Sequence, residues 1–573
     1  MCGIFFSLST AGPVLPSEET CDLLRQRGPD SFRAHNVHRD IQIHDAKDDG
    51  QLLKTVPAHL TFISTVLSLR GDHFHSQPLV DKESQSVLCW NGEAWKVAGE
   101  PVQDNDTKLI FQLFLQAAKP SSASGDVVQR FADLISSISG PFSFVFYDAL
   151  SSKLFFSRDC LGRRSLLLGI NENGSLKLCS LCDGTSSTVF EEVDTNGVHM
   201  IDLTAPGTTT AYSIQTLPWS NDKDLRANCP INPIPPMNKS VPNGNPSLTI
   251  ESTVVGELEQ KLRQSLKPRV KNVPGQGQGQ DATKVAVLFS GGLDCTLLAR
   301  LSHEILPSNE TIDLLNVAFE NPRVAAAAAR SKETPTESVY ESCPDRITGR
   351  SAFAELQRIC PDRKWRLVAI DVPYMETISH RDRIKRLMRP HNTEMDLSIA
   401  CALYFASRGQ GTAYEGEEAF PYTTPSRVLL SGLGADELFA GYGRHGVAFN
   451  RNGYQGLIDE VHLDVSRLGK RNLGRDDRIL CTWGREARYP FLDEEFVSWV
   501  LQTPIWEKCG FGMADSEIPE SEKGLDAEKK ALRLVAIKLG MEKVSREKKR
   551  AIQFGSRTAK MEKGRTKGTD ALS

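Results

Sequence analysis

The apolar positions of the first 205 residues come in short runs closed off by Gly, Pro and Asp. Leu60 to Leu69, Val87 to Trp90, Phe142 to Tyr147 and Lys153 to Phe156 each have the length and the β-branched or aromatic content of a strand. Lys108 to Ala117 instead spaces its apolar side chains at helical intervals. A first domain over 1–205 is therefore predicted, layered α/β with much antiparallel sheet. From Leu217 to Pro246, proline, Asn and Ser replace any apolar period, so 206–247 is expected to be a linker that continues neither sheet nor helix. Past Leu248 the pattern changes. Glu257 to Leu266 predicts a helix, Val285 to Phe289 a buried strand and Leu297 to Leu306 another helix. Strand, glycine turn and helix in that order open a parallel sheet, and a second α/β domain is expected over 248–555. Within it, Pro274 to Gln280 reads as a flexible stretch, Arg323 to Arg346 as a mobile insertion and Glu415 to Ser426 as a surface loop. The basic tail 556–573 is expected to be disordered.

Composition narrows the class. The chain has 573 residues, 40% hydrophobic and 24% charged, which is the balance of a globular protein with more than one core. Its 68 basic and 72 acidic residues leave a net charge of −4, so nothing electrostatic points to nucleic acid. No apolar stretch reaches the ~18 residues of a membrane span. Thirteen cysteines, an odd number, and no basic-then-apolar leader predict a cytoplasmic home with free thiols. Cys179 and Cys182 form a C-x-x-C without a second pair, read as two buried thiols rather than a zinc site. His303-Glu304 reads as helix surface, and Lys548-Lys-Arg550 as a solvated basic face.

Two segments carry candidate chemistry. The chain opens Met1-Cys2-Gly3, and clipping of Met1 is expected because Cys2 is small. Cys2 would then hold a thiol and an α-amine of pKa about 7.7–8.0, a nucleophile with its own base. The second segment is Ser290-Gly291-Gly292-Leu293-Asp294-Cys295, between the Val285 strand and its helix. Its glycines let backbone N–H groups approach an anion, the helix N-terminus adds partial positive charge, and Asp294 can hold Mg²⁺ between phosphates. Taken alone, such a turn also serves simply to join strand and helix.

Three further segments join this turn: Ser431-Gly432-Leu433-Gly-Ala-Asp436-Glu to Tyr442, Arg485 to Asp493, and Lys529-Lys-Ala-Leu-Arg533. Together with Cys2, Arg27-Gly-Pro-Asp30 and Asn91-Gly-Glu93 they resemble the glutamine-hydrolysing asparagine synthetase family over almost the whole chain. The apolar residue before Gly-Ala-Asp-Glu and the segment Gln553 to Arg557 resemble a distinct branch of it. The resemblance implies an N-terminal αββα sandwich of the N-terminal-nucleophile, class II glutamine amidotransferase type. It implies a C-terminal parallel-sheet ATP-pyrophosphatase domain of the adenine nucleotide α-hydrolase-like kind. Cys2 would release ammonia from glutamine, with Asn91 and Gly92 as oxyanion donors and Arg70, Glu93 and Asp106 as glutamine-binding residues. Ser290 to Cys295, Ser431 and Gly432 would bind ATP and pyrophosphate, Asp294 and Asp436 would share Mg²⁺, and Lys529 would neutralise developing phosphate charge. Internally transferred ammonia would attack an acyl-adenylate of aspartate. Dimerisation is common in that family.

The chain also departs from the family pattern. An expected catalytic Glu is Leu433, which takes no proton. The Arg that should meet aspartate aligns with Ser398. The Arg expected to clamp the glutamine carboxylate aligns with Val66, leaving Arg70 four residues later, about 13 Å along a strand. Lys96 stands where the family has an Asn just after Asn-Gly-Glu. Three readings stay open on this basis: asparagine synthesis, amidation of another carboxylate, and a scaffold without catalysis.

Overall fold

The strand Cys2–Ser9 buries all eight of its residues, which requires apolar cover on both faces of its sheet. It pairs antiparallel with Leu53–Val66, Cys2 opposite Val66, and on its other side with Leu176–Cys179. In the computed structural model, residues 2–44, 53–71, 74–119, 126–184, 188–205, 207–208, 212–219, 234–244, 246–271, 273–274, 283–328, 338–415, 418–513, 519–561 and 567–572 are described. The fold is mixed α/β with several sheets. It divides into two compact units, Met1–Ile234 with Arg386–His391 and Leu468–Gly484, and Pro235–Lys385 with Asn392–Arg467 and Arg485–Ser573. Where the sequence pattern places boundaries at 205 and 248, this division falls at 234 and sends two later segments back to the first unit.

In the first unit a seven-stranded sheet containing Cys2–Ser9 faces a six-stranded sheet built on Phe142–Asp148 and Val87–Gly92. Ile4, Phe6, Leu60 and Phe62 of the one meet Val87, Val145, Tyr147 and Phe156 of the other in a shared core. The outer face of the six-stranded sheet carries Trp90, Phe144, Phe146 and Phe155, covered by helices Asp106–Ala118 and Val127–Ser136 through Phe114 and Phe131. The Phe131 ring stacks 4.3 Å from that of Phe155. Helix Glu18–Arg27 packs on the strands Cys2–Ser9 and Leu53–Val66.

Leu468–Gly484 enters this unit through charge. Asp477 accepts from Arg27 at 2.8 Å and from the Ser165 backbone N–H at 3.1 Å, and pairs with Arg164 at 3.4 Å. Beside it Arg478 reaches Glu192 at 2.7 Å. These side chains lie away from solvent, and the two guanidinium groups hold the Asp477 carboxyl below its ordinary range against the opposing effect of burial.

Several expectations change here. The Leu60 strand ends at Val66, not Leu69, so strand alternation does not place Arg70. Part of the expected linker is sheet: Ile214–Pro218 pairs with Gly197–Asp202 as an edge strand, where proline's missing N–H is tolerated. Gly207–Thr208 pairs parallel with Ile43 and His44. Residues 220–233 lie outside the described residues, as do 275–280 of the Gly-Gln stretch, while 234–244 and 246–247 form neither helix nor strand, as expected of a linker.

The second unit is built on a seven-stranded sheet. Trp365–Val372, Ile312–Phe319, Val285–Leu288, Val428–Leu430 and Glu486–Arg488 run parallel in that spatial order. Numbered along the chain the order is 3-2-1-4-5, so direction of winding reverses between Val285–Leu288 and Val428–Leu430. The crevice at the carboxyl ends of strands at such a switch point is where open α/β sheets bind ligands. The expected surface loop at 415–426 is instead an antiparallel hairpin, Gln410–Glu415 with Glu418–Thr423, that extends the sheet. The residues expected as an insertion contain helix Pro322–Ala328 and the start of helix Pro344–Ile359, with 329–337 outside the described residues. The described tail is packed rather than loose: Thr558 is buried and Ala571 bridges to Thr393.

Asp345, buried in the first turn of helix Pro344–Ile359, lies so close to Gly555 that any side chain at 555 would collide with its carboxylate. Burial pushes the Asp345 carboxyl up to about 7, against the pull of Arg550 at 4.0 Å. The native state therefore holds this proton where the unfolded chain has lost it, so ionisation costs stability as pH rises from about 4 to 7. Asp345→Asn should accordingly gain on the unsubstituted protein across that window and keep a constant advantage above it. Denaturant midpoints of both proteins from pH 4 to 9 test this. In the first unit, Asp477→Ala leaves buried guanidinium groups without their carboxylate and should cost about 3–5 kcal/mol, read in the same way.

Candidate functional site

The edge of the first unit's sandwich presents Cys2. Its backbone N–H donates to Asn91 Oδ1 at 2.9 Å, from the last residues of strand Val87–Gly92. The Asn91 amide nitrogen lies 3.5 Å from Ser143 Oγ. Gly3 N–H is held by Thr65 Oγ1 at 2.9 Å, and a Cβ at Gly3 would press on Thr65 and Leu24. Gly92 abuts the Pro141 carbonyl and Phe142, so only glycine fits. Gln77 spans the site: its Nε2 is 3.7 Å from Cys2 Sγ and its Oε1 accepts from Trp90 N–H at 2.7 Å. Cys2, Asn91 and Gln77 are all buried.

Arg70, Glu93 and Asp106 come together beside this edge. Arg70 donates to the carbonyls of Ala94, at 2.7 Å, and Val102, lies 3.7 Å from Glu93, and covers the Trp95 ring at 5.3 Å. Asp106 accepts from Ala94 N–H at 2.8 Å and from the Trp90 indole at 3.1 Å. Burial raises its carboxyl above the ordinary range, partly offset by Arg70. Arg70 thus clamps the segment that carries Glu93, by a route no strand offset describes. Gln77 and Ser143 escaped the sequence reading because neither stands out in its local pattern.

In the second unit the glycine turn leaves the end of strand Val285–Leu288. Gly291 has φ +79° and packs against the backbone of Thr348 and Gly349, so the turn excludes a side chain there. Thr348 Oγ1 donates to the Ser290 carbonyl at 2.7 Å. Helix Leu293–Ile305 starts directly behind, its N-terminus facing the turn. Cys295, whose thiol burial raises, donates to the Gly292 carbonyl at 3.3 Å and contacts Ser290 Oγ at 3.6 Å. Across the switch point Ser431 Oγ accepts from Leu433 N–H at 3.3 Å, and a Cβ on Gly432 would lie 2.9 Å from that of Asp294.

The centre of this crevice is Lys529. Its ammonium sits 2.6 Å from Asp294 and 2.7 Å from Asp436. Lys529 itself holds φ +56° as the residue that starts helix Lys530–Lys538, and its N–H donates to the Phe439 carbonyl at 3.0 Å. Gly441 makes room, since a side chain there would collide with both Asp436 and Lys529. The two carboxylates hold the buried ammonium well above its ordinary range. Burial raises Asp294, which Lys529 counters. Lys549 approaches Asp436 at 3.6 Å and the Tyr442 ring at 4.5 Å, and Tyr442 donates to Glu437 at 2.6 Å.

No cluster of three or more metal-ligating side chains occurs among the described residues. A magnesium ion carried by a nucleotide needs fewer, since it takes one or two carboxylates and fills its remaining positions with phosphate oxygens and water. Asp294 and Asp436 meet that requirement, and Asp294 Oδ1 is buried with no hydrogen-bond partner. The donor set fits.

Curated relatives match this chain over nearly its whole length. Residues 450–568 match the family model for asparagine synthase. Asparagine synthetase domain-containing protein 1 of Homo sapiens is 34% identical, over 100% of this chain and 97% of its own. A Saccharomyces cerevisiae asparagine synthetase domain-containing protein is 33% identical over 91% and 88%. The chain belongs to the asparagine synthetase domain-containing protein family. A Gallus gallus glutamine-hydrolyzing asparagine synthetase is more distant, 22% identical over 88% of this chain and 77% of its own. A solved glutamine phosphoribosylpyrophosphate amidotransferase from B. subtilis covers 58% of this chain and 71% of its own at 12% identity, with a TM-score of 0.21. No helix among the described residues is long and apolar enough to cross a membrane.

In this member of the asparagine synthetase domain-containing family, Leu433 follows Ser431 and Gly432 directly in the crevice. Ser398 lies on helix Glu394–Arg408, its hydroxyl donating to the Glu394 carbonyl at 2.8 Å. Lys529→Met would leave Asp294 and Asp436 facing each other with no cation between. The expected loss is about 3 kcal/mol at pH 8, the low end for a broken buried pair because both carboxylates keep about a fifth of their surface in solvent. The loss should shrink towards pH 5 as the carboxylates take up a proton, which denaturant titrations at both pH values check.

Proposed function

We propose that this protein couples two reactions of the asparagine synthetase type. In the first unit, with its sandwich read as the N-terminal-nucleophile amidotransferase fold, Cys2 attacks the side-chain amide of glutamine. Ammonia leaves, and water cleaves the thioester to glutamate. Removal of Met1 converts the N–H now bonded to Asn91 into the α-amine that takes the thiol proton. Glu93 and Asp106 face the substrate α-amine, Arg70 fixes their segment, and Asn91 and Gly92 stabilise the oxyanion.

In the second unit, read as the ATP-pyrophosphatase fold, ATP lies across the switch point on Ser290 to Cys295, Ser431 and Gly432. Asp294 and Asp436 would hold Mg²⁺, which draws electron density from the phosphates. A carboxylate oxygen of the acceptor attacks the α-phosphorus and pyrophosphate departs. Lys529 neutralises the negative charge that grows on the phosphates. Ammonia then forms the amide and releases AMP. The observation that carries this reading is the Lys529 ammonium held between Asp294 and Asp436 at the carboxyl ends of the parallel strands.

A second acceptor is favoured over aspartate by one observation. Leu433 and Ser398 remove a carboxylate and a cation from the places where the family has them, so the proton on the attacking ammonia passes to phosphate or water rather than to residue 433.

The two halves separate experimentally. Cys2→Ala should abolish glutamate release while leaving pyrophosphate release supported by ammonium chloride. Asn91→Ala should slow glutamate release about 100–1000-fold. Lys529→Met should cut pyrophosphate release at least about 100-fold and spare glutamate release. Glutamate release that survives Cys2→Ala would falsify the assignment of the first unit.

A further inference from the structure

The second unit contains a cavity of about 160 Å³ whose walls are anchored to the same carboxyl edge of the sheet as the nucleotide crevice. One wall is helix Tyr374–Met388, which begins just after strand Trp365–Val372 and whose Tyr374 N–H donates to Glu320, next after strand Ile312–Phe319. A second is helix Glu394–Arg408. The third is residues 553–561, pinned where Phe319 N–H donates to the Ser556 carbonyl at 3.1 Å and Asn321 donates to the carbonyls of Arg557 and Ala559. Ile312–Phe319 is the immediate neighbour of Val285–Leu288, so wall and nucleotide turn are anchored on strands about 5–10 Å apart.

The lining is mainly apolar. Leu397 and Cys401 are buried at its floor, and Ile378 and Phe554 stand partly exposed at its mouth. Burial drives the Cys401 thiol up to about 12, so it behaves as a small apolar group. Ser398, also in the lining, spends its hydroxyl on the Glu394 carbonyl. A purely apolar cavity of about 150 Å³ accepts a body the size of benzene, and the volume here is comparable, with Arg381, Glu394 and Lys560 added to the walls. A second carboxylate set against the Leu397 and Cys401 floor would lose its hydration with only apolar groups beneath it, whereas an alkyl or aryl group gains by burial there. Arg381, Lys560 and Glu394 bring both signs of charge to the walls, so the apolar body can belong to an α-amino acid or to a plain carboxylic acid.

We infer that this cavity is the acceptor site, and that the acid activated here carries an apolar body of about six non-hydrogen atoms in place of the aspartate carboxylate. The inference rests on the proposed ATP-dependent activation: a carboxylate oxygen forms a bond to the α-phosphorus of ATP as the bond to the β-phosphate bridging oxygen breaks, giving acyl-adenylate and pyrophosphate.

Exchange of labelled pyrophosphate into ATP by the full chain reads this step without ammonia. Leucine, phenylacetate and 4-methylpentanoate should each be compared with aspartate, the first as the amino-acid arm and the others as the plain-acid arm. At least one arm should exceed aspartate 10-fold. Ser398→Arg should shift the ratio at least 10-fold towards aspartate, and Cys401→Phe, which fills the floor, should abolish the apolar advantage. Ligand-observed NMR of phenylacetate and leucine follows binding apart from turnover, with thermal melts confirming that each variant folds. Exchange driven by aspartate above the apolar acids overturns the inference and leaves the synthetase reading intact. Apolar acids that bind, are displaced in Cys401→Phe and yet support no exchange overturn the synthetase reading instead. Absence of binding, or binding indifferent to Cys401→Phe, overturns the cavity assignment.

Discussion

An ammonium ion buried between two carboxylates is the constraint around which the second unit is organised. Asp294 comes from the turn after the first parallel strand, Asp436 from the turn after the fourth, and Lys529 from a residue forced to φ +56° ahead of a helix. None of the three is stable in its place alone. Two carboxylates this close repel, and a buried Lys without partners loses its proton. Together they pin two strand ends and a helix start at the switch point of the sheet. Gly432 and Gly441 then follow as necessities of space, since a side chain on either would occupy the volume of the cluster. A cluster so placed is also preorganised for chemistry, because the charge that a phosphate would meet is already fixed before it arrives.

The first unit solves a different problem, which is to hold a thiol rigidly at the start of a chain. Ends of chains fray unless they are tied into sheet. Here every residue of Cys2–Ser9 is buried and paired with Leu53–Val66, Phe5 to Leu8 are paired on the other edge as well, and side-chain bonds from Thr65 to Gly3, Ser180 to Ile4 and Asn91 to Cys2 fasten the start. The segment Leu468–Gly484 adds a buried carboxylate, Asp477, to Arg27 at the end of the helix that covers this strand. The rigidity of the Cys2 thiol therefore depends on residues more than 450 positions away in sequence.

That dependence explains what the chain discloses of itself before folding. Strands such as Val87–Gly92 and Phe142–Asp148 were legible because apolar runs bounded by turn residues have few other solutions. Asp294 was legible in its glycine turn between strand and helix, and Asp436 and Lys529 only through the resemblance of their segments to a known family. Asp477 and Gln77 were not, since a buried ion pair or a side-chain bridge formed across the fold leaves no periodic trace in the chain. The hairpin Gln410–Thr423 hid for a related reason. Its edge strand is half polar and exposed, so its pattern matches a loop until the antiparallel partner is seen. Proline misled in the opposite direction at Ile214–Pro218, where an edge strand tolerates it.

On the proposed reading, Leu433 and Ser398 bear on the acceptor side of the second unit, and the residues around them constrain what they mean. Lys529 stands at positive φ, Asp294 has a buried oxygen without a hydrogen-bond partner, and Gly291, Gly432 and Gly441 sit where a side chain would collide with its neighbours; the proposed nucleotide chemistry gives each of these a use. Those features cost stability, by strain and by desolvation, and they are retained together. On the proposed reading, a change of acceptor accounts for the loss of polarity at these two positions of the second unit. The cavity between helices Tyr374–Met388 and Glu394–Arg408 would give that change a place in the fold: its charged groups, Arg381, Lys560 and Glu394, share the walls with a floor of Leu397 and Cys401, an arrangement that suits an acid with one charged end and an apolar body.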